Sequence, residues 1–189
     1  KKMNIQTATS NLLLGDCRET LKKIEPGSVQ TCVTSPPYFG LRDYGHGDQL
    51  GLEETPEKFV ANLVEVFRGV KRILADDGTL WLNLGDSYAA NAKAGTKKFG
   101  NSEFNKNRPS REATKTAEKR VPKGLKAKDL IGIPWRVALA LQADGWYLRQ
   151  DIIWHKPNPI PESVTDRCTK SHEYIFLLSK SSKYYYDNE

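Results

Sequence analysis

Apolar residues along this chain recur at two spacings, and each spacing predicts an element. In TPEKFVANLVEVFRGVKRILADDG (55–78), Phe59, Leu63, Val66, Phe67, Val70 and Leu74 return every three or four residues and so share one helix face. Thr55 stands where a helix cap belongs, and Pro56 at the first helical position. Acidic Glu57 and Glu65 precede basic Arg68, Lys71 and Arg72, the order that suits a helix dipole. Elsewhere the apolar runs are short and bounded by polar or glycine residues. VQTCVT (29–34), GTLWLNLGD (78–86), WYLRQDIIWHK (146–156) and HEYIFLLSK (172–180) read as strands, and NLLLG (11–15) as a further one. RETLKKIE (18–25) has helical spacing and stops at Pro26-Gly27. LIGIPWRVALALQADG (130–145) leads into a second long helix that stops at Gly145.

The resulting order is β-α-β-loop-α-β-loop-α-β-loop-β. Strands alternating with helices predict an α/β fold with a mostly parallel sheet and helices on both faces. The last two strands lack an intervening helix, so one is expected to run antiparallel at an edge. The 189 residues suit one domain. In open sheets of this kind, sites form beyond the carboxyl ends of the strands. Gly15-Asp16, Ser35-Pro36-Pro37-Tyr38 and Gly85-Asp86 all stand at such ends.

Charge changes this picture in one place. The chain carries a net charge of +6, but residues 91–128 hold 12 Lys/Arg against 3 Asp/Glu, leaving the remainder acidic. This stretch is polar, lacks apolar periodicity and reads as a long mobile loop. Its cations, Lys97, Lys98, Lys106, Arg108 and Arg111 among them, fit either a phosphate backbone or a solvated surface insertion. No apolar run is long enough to span a membrane. Cys17, Cys32 and Cys168 are too scattered for a disulfide framework or a zinc site, which points to a reducing, cytoplasmic setting. His46, His155 and His172 show no ligand spacing. Trp81, Trp135, Trp146 and Trp154 read as core residues, Asp86 as a turn or capping residue, and KYYYD (183–187) as an edge strand or an aromatic cluster.

The chemistry concentrates in CVTSPPYFG (32–40). Two adjacent prolines donate no backbone hydrogen bond, so the strand must end there. They also fix the direction of the Pro36 carbonyl, between the Ser35 hydroxyl and the Tyr38 ring. A planar heterocycle with an exocyclic amino group fits this corner, its ring on Tyr38 and its amino hydrogens on Ser35 and the Pro36 carbonyl. Holding both hydrogens draws the nitrogen lone pair out of conjugation and makes it nucleophilic, by positioning more than by acid–base chemistry. An ordinary turn is the simpler alternative for the same four residues.

Ser35-Pro36-Pro37-Tyr38 resembles the (Asp/Asn/Ser)-Pro-Pro-(Tyr/Phe/Trp) motif of the DNA amino-methyltransferases. GDCRETLKKI, LADDGTLWLNLGDSY, DIIWHKPNPIPES and SHEYIFLLSK resemble the family's other elements in its order, from about Leu12 to Tyr186. The resemblance implies a Rossmann-like sheet and transfer of a methyl group from S-adenosylmethionine to the N4 of a flipped cytosine or the N6 of a flipped adenine. It assigns Ser35, Pro36, Pro37 and Tyr38 to the base, Asp16 and Ser35 to the cofactor, and the basic loop to DNA phosphates. Serine in the first motif position is commoner in the cytosine-N4 enzymes. The family's Phe-x-Gly-x-Gly cofactor turn is absent from this sequence. That matches the permuted class whose catalytic motif comes first, with the cofactor turn and target-recognition region expected on a further segment or a second chain. An RNA or protein amino-methyltransferase and a non-catalytic nucleic-acid-binding subunit stand as alternatives. A restriction-modification role and a solitary one are equally open.

Overall fold

A computed structural model describes residues 10–89 and 121–188. The amphipathic segment forms α2 (Pro56–Ile73), capped by the Thr55 hydroxyl, which accepts from the Lys58 amide. Before it lie α1 (Cys17–Thr20), extended by a 3-10 turn at Leu21–Lys23, and β1 (Val29–Thr34). After it come β2 (Leu74–Leu84), α3 (Ile133–Ala143), β3 (Tyr147–His155) and β4 (His172–Ser179). Gly145 ends α3 in the left-handed region, as its place in the sequence predicts.

Helix α2 is shorter than its pattern predicts, because the chain turns extended at Leu74. Leu74 pairs with Val29, and the β1–β2 register then shifts before Thr31 meets Thr79, so residues 75–78 bulge out of the ladder. The expected strand at 11–15 is not formed. Leu12 and Leu14 are each 94% exposed, and the run has no described strand beside it to pair with.

The sheet order is β1-β2-β4-β3. β1 and β2 pair parallel, while β4 pairs antiparallel with both β2 and β3. The antiparallel strand therefore lies inside the sheet and not at its edge, and only one of the three ladders is parallel. Burial explains the position. Phe176 and Leu178 of β4 stand opposite Leu82 and Leu80 of β2, and all four are fully buried. An edge place would leave that strand half in water.

Among the described residues, helices cover one face of the sheet and not both. Leu80, Leu82, Leu84, Phe176 and Leu178 share one face and form a single core with Phe59, Leu63 and Phe67 of α2 and Val137, Ala138 and Leu141 of α3. Each such side chain contributes about 1.5–3 kcal/mol on burial. The other face carries Val33, Trp81, Asn83 and Ile175, and no described helix lies on it; Val33 is 76% exposed. Trp154 is 53% exposed and Trp135 39%, so only Trp146 is a fully buried core tryptophan. The tail at 184–186 forms no strand. The Tyr185 amide donates to the Asp77 carbonyl, and Arg149 lies over the Tyr184 ring.

The mobile-loop reading of 91–128 meets the structure only at its end, where Val121 and Leu125 pack against the core. Lys97, Lys98, Lys106, Arg108 and Arg111 lie outside the described residues. Among the described residues no helix is long and apolar enough to cross a membrane.

The core also anchors the Pro-Pro corner, because the Phe39 ring lies 5.5 Å from that of Phe59. Replacing Phe59 with alanine is expected to cost about 3–5 kcal/mol in urea unfolding, with the loss spread to the corner that Phe39 fastens.

Candidate active site at the Pro-Pro-Tyr corner

β1 ends at Thr34, and the next four residues form the corner. Consecutive side chains leave it in opposite directions: Phe39 enters the core, whereas Tyr38 turns to the polar side at the end of β2. Tyr38 lies so close to Gly85 that a Cβ there would overlap its Cε2 and come within 2.8 Å of its Cδ2. Glycine is required at 85 by this approach. A second glycine closes the corner from the loop side. Gly51 has a positive φ of 99°, a Cβ on it would sit 2.9 Å from the Tyr38 carbonyl oxygen, and its own carbonyl accepts from the Gly40 amide at 2.6 Å.

The Tyr38 hydroxyl is held at its far end. It lies 2.9 Å from Asn83 Oδ1 and 3.1 Å from Glu173 Oε2, and Ser35 Oγ approaches it at 3.4 Å. Glu173 in turn pairs with the Lys156 ammonium. Burial raises the Tyr38 pKa, and the Glu173 charge adds to the effect, so the phenol stays protonated and donates. Burial also pushes the Glu173 carboxyl up. Lys156, with the hydrogen bonds from Tyr38 and Asn83, outweighs it and leaves the carboxyl below its usual range. The carboxylate is therefore charged at neutral pH and loses its charge only in acid, below the ordinary value of 4.5.

Two clefts meet at Tyr38. The smaller, about 260 Å³, is walled by Ser35, Pro36, Pro37, Leu41, Arg42 and Tyr44. The larger, about 380 Å³, runs past Leu41, Gly85 and Asp86 to Lys156, Lys170, His172, Glu173 and the stretch from Asn158 to Glu162. Lys170 is half-buried, and desolvation lowers its pKa. The loop after β3 forms the outer wall. It is closed at its base by the Lys156 amide on the Ser171 carbonyl, and pinned by Lys128 to Asp166 and by Arg167 over the Tyr88 ring.

The structure thus gathers Ser35, Pro36, Pro37 and Tyr38 with the Gly85 end of β2. Asp86 performs the capping role expected of it, its carboxylate accepting from the Gly132 and Ile133 amides at the start of α3. Asp16 is not brought to the clefts. It caps α1, and its carboxylate is occupied by the backbone amide and guanidinium of Arg18. The Asp16 side chain is 41% exposed, so its carboxylate stays open to solvent beside that guanidinium. Gly85 stands at the strand end the sequence pointed to, whereas Asn83, Lys156, Lys170 and Glu173 line the corner without having been singled out. The available signal was a polar Asn83 between the buried Leu82 and Leu84, and an acid opening an otherwise apolar strand.

A family described as DNA methylase matches residues 29–189. The Type II methyltransferase M.SmaI of Serratia marcescens is 54% identical over 178 residues, which is 94% of this chain and 58% of that protein. M.Cfr9I of Citrobacter freundii, also a Type II methyltransferase, is 52% identical over 180 residues, 95% of this chain and 57% of that protein. The chain thus spans somewhat over half the length of these curated relatives. Among solved structures, a Thermus thermophilus protein described as a DNA modification methylase, in complex with S-adenosyl-L-methionine, superposes with a TM-score of 0.58 at 23% identity. That match covers 93% of this chain and 55% of the other. The cytosine-N4-specific PvuII DNA methyltransferase gives 0.58 at 17% identity, over 90% and 49%. At these identities both share the fold.

If the close approach of Tyr38 to Gly85 sets the ring, Gly85→Ala displaces it. We expect a crystal structure of the variant to show the Tyr38 ring moved off residue 85, with secondary structure by circular dichroism unchanged.

Proposed function

The chain belongs to the DNA methylase family, and on that premise we propose that it carries the base-gripping part of a site-specific DNA methyltransferase. The reaction moves a methyl group from S-adenosylmethionine to the exocyclic N4 of a cytosine turned out of the duplex. The observation that carries this reading is the Ser35-Pro36-Pro37-Tyr38 corner. Its ring is backed by Gly85, tied at its hydroxyl to Asn83 and Glu173, and open to both clefts. The serine in the first motif position is what favours cytosine N4 over adenine N6.

The chain's own groups act on the acceptor. Tyr38 offers a fixed plane for the extruded base. The Ser35 hydroxyl and the Pro36 carbonyl take the two amino hydrogens, which aims the nitrogen lone pair away from the ring system. S-adenosylmethionine, when bound, supplies the methyl group on a sulfonium that leaves as a neutral thioether. The methylated amino nitrogen then gives up one proton to solvent, and no covalent enzyme intermediate is needed. Holding the cofactor is assigned to Asp16, whose carboxylate is partly exposed beside Arg18, and to Ser35. DNA is the macromolecular partner, with Lys97, Lys98, Lys106, Arg108 and Arg111 of the basic segment proposed to meet its phosphates. The relatives' Type II designation supports a place beside a restriction enzyme.

The test is nucleoside mass spectrometry on DNA from a methylation-free host expressing the full-length protein or its Ser35→Ala variant. N4-methylcytosine that disappears in the variant is the expected result. N6-methyladenine would overturn the base assignment and keep the chemistry. Neither product, from folded protein, would remove the DNA methyltransferase reading in favour of an RNA, protein or binding-only role.

A further inference from the structure

A phenol has one hydrogen, yet the Tyr38 hydroxyl faces two acceptors, Asn83 Oδ1 and Glu173 Oε2. The orientation of Asn83 is not free. Its amide nitrogen donates to the Tyr174 carbonyl at 3.1 Å and faces Glu173 Oε2 at 3.4 Å, so its oxygen must face Tyr38. Glu173 is aimed at the same point from the neighbouring strand. Asn83 stands opposite Ile175, and Glu173 is two residues from Ile175 on the same face. The Glu173 side chain is only 20% exposed, a costly place for a carboxylate, and Lys156 offsets that cost from the wall of the larger cleft.

None of this belongs to the hydrophobic core, which lies on the other face of the sheet. The ring is fixed at its root by two prolines and at its flank by Gly85. Without a tie at the hydroxyl it would still swing about its own bond to the backbone. The tie removes that last freedom. The motif that the corner resembles also takes Phe or Trp at this position, so the hydroxyl tie is not part of the motif itself.

We propose that Glu173 and Asn83 are positioning residues for the target base, acting through the Tyr38 hydroxyl to hold the ring at one tilt. Lys156 serves by keeping Glu173 charged and in place. The proposal rests on the methyltransferase reading of the corner. It assigns Glu173 no contact with the base and no proton transfer.

A double-mutant cycle on the full-length protein tests it, with single-turnover rates and KM for DNA measured for Tyr38→Phe, Glu173→Gln and the pair. Each single change is expected to slow methyl transfer about tenfold with KM unchanged. The pair should be no slower than the slower single, because the Glu173 charge acts only through the hydroxyl that Tyr38→Phe removes. Multiplicative losses in the pair, or a Glu173→Gln enzyme as fast as the wild type, would overturn the proposal while leaving the methyltransferase standing. A folded wild type that methylates nothing would remove that reading and the proposal with it. If Glu173→Gln does not fold because Lys156 is left unpaired, Lys156→Gln/Glu173→Gln takes its place in the cycle with the same expectations.

Discussion

The Tyr38 ring and the backbone of Gly85 occupy space that a single methyl group would close. That approach requires β1 to end beside the end of β2, which the parallel pairing of Thr34 with Leu82 achieves. It requires the corner to be stiff, which Pro36 and Pro37 achieve by fixing their own backbone angles. It also requires the corner to be fastened, and Phe39 does this by entering the core beside Phe59. Strand pairing, proline stiffness and core packing thus converge on one aromatic plane.

The inserted antiparallel strand completes the arrangement. Had β4 not paired with β2, Glu173 would not stand diagonally across from Asn83, and the Tyr38 hydroxyl would have had one partner instead of two. The same insertion puts β3 outside β4, so Lys156, just past the end of β3, reaches Glu173 from the far side. The topology that buries Phe176 and Leu178 therefore also assembles the polar network on the opposite face.

The α/β class, both long helices and four of the five predicted strands were legible because they depend on local spacing and on end signals such as Thr55, Pro56 and Gly145. The corner was legible for the same reason, since Pro-Pro announces itself. What sequence did not reveal was long-range. Nothing in NLLLG says that it lacks a neighbour, and nothing in HEYIFLLSK says that it slips between two earlier strands. Nor does the sequence say that Arg18 pairs with the Asp16 carboxylate. Glu173 sits 135 residues from Tyr38, so their meeting is a product of the sheet order.

On the proposed function, an extruded base rests on Tyr38 with its amino group between Ser35 and Pro36. A crystal structure of the full-length protein with S-adenosylhomocysteine and a duplex carrying its methylation site tests this most directly. The target cytosine is expected out of the stack, its ring on Tyr38, and N4 within hydrogen-bonding distance of Ser35 Oγ and the Pro36 carbonyl oxygen. A target base still paired in the duplex, or extruded into a site away from Tyr38, would contradict it.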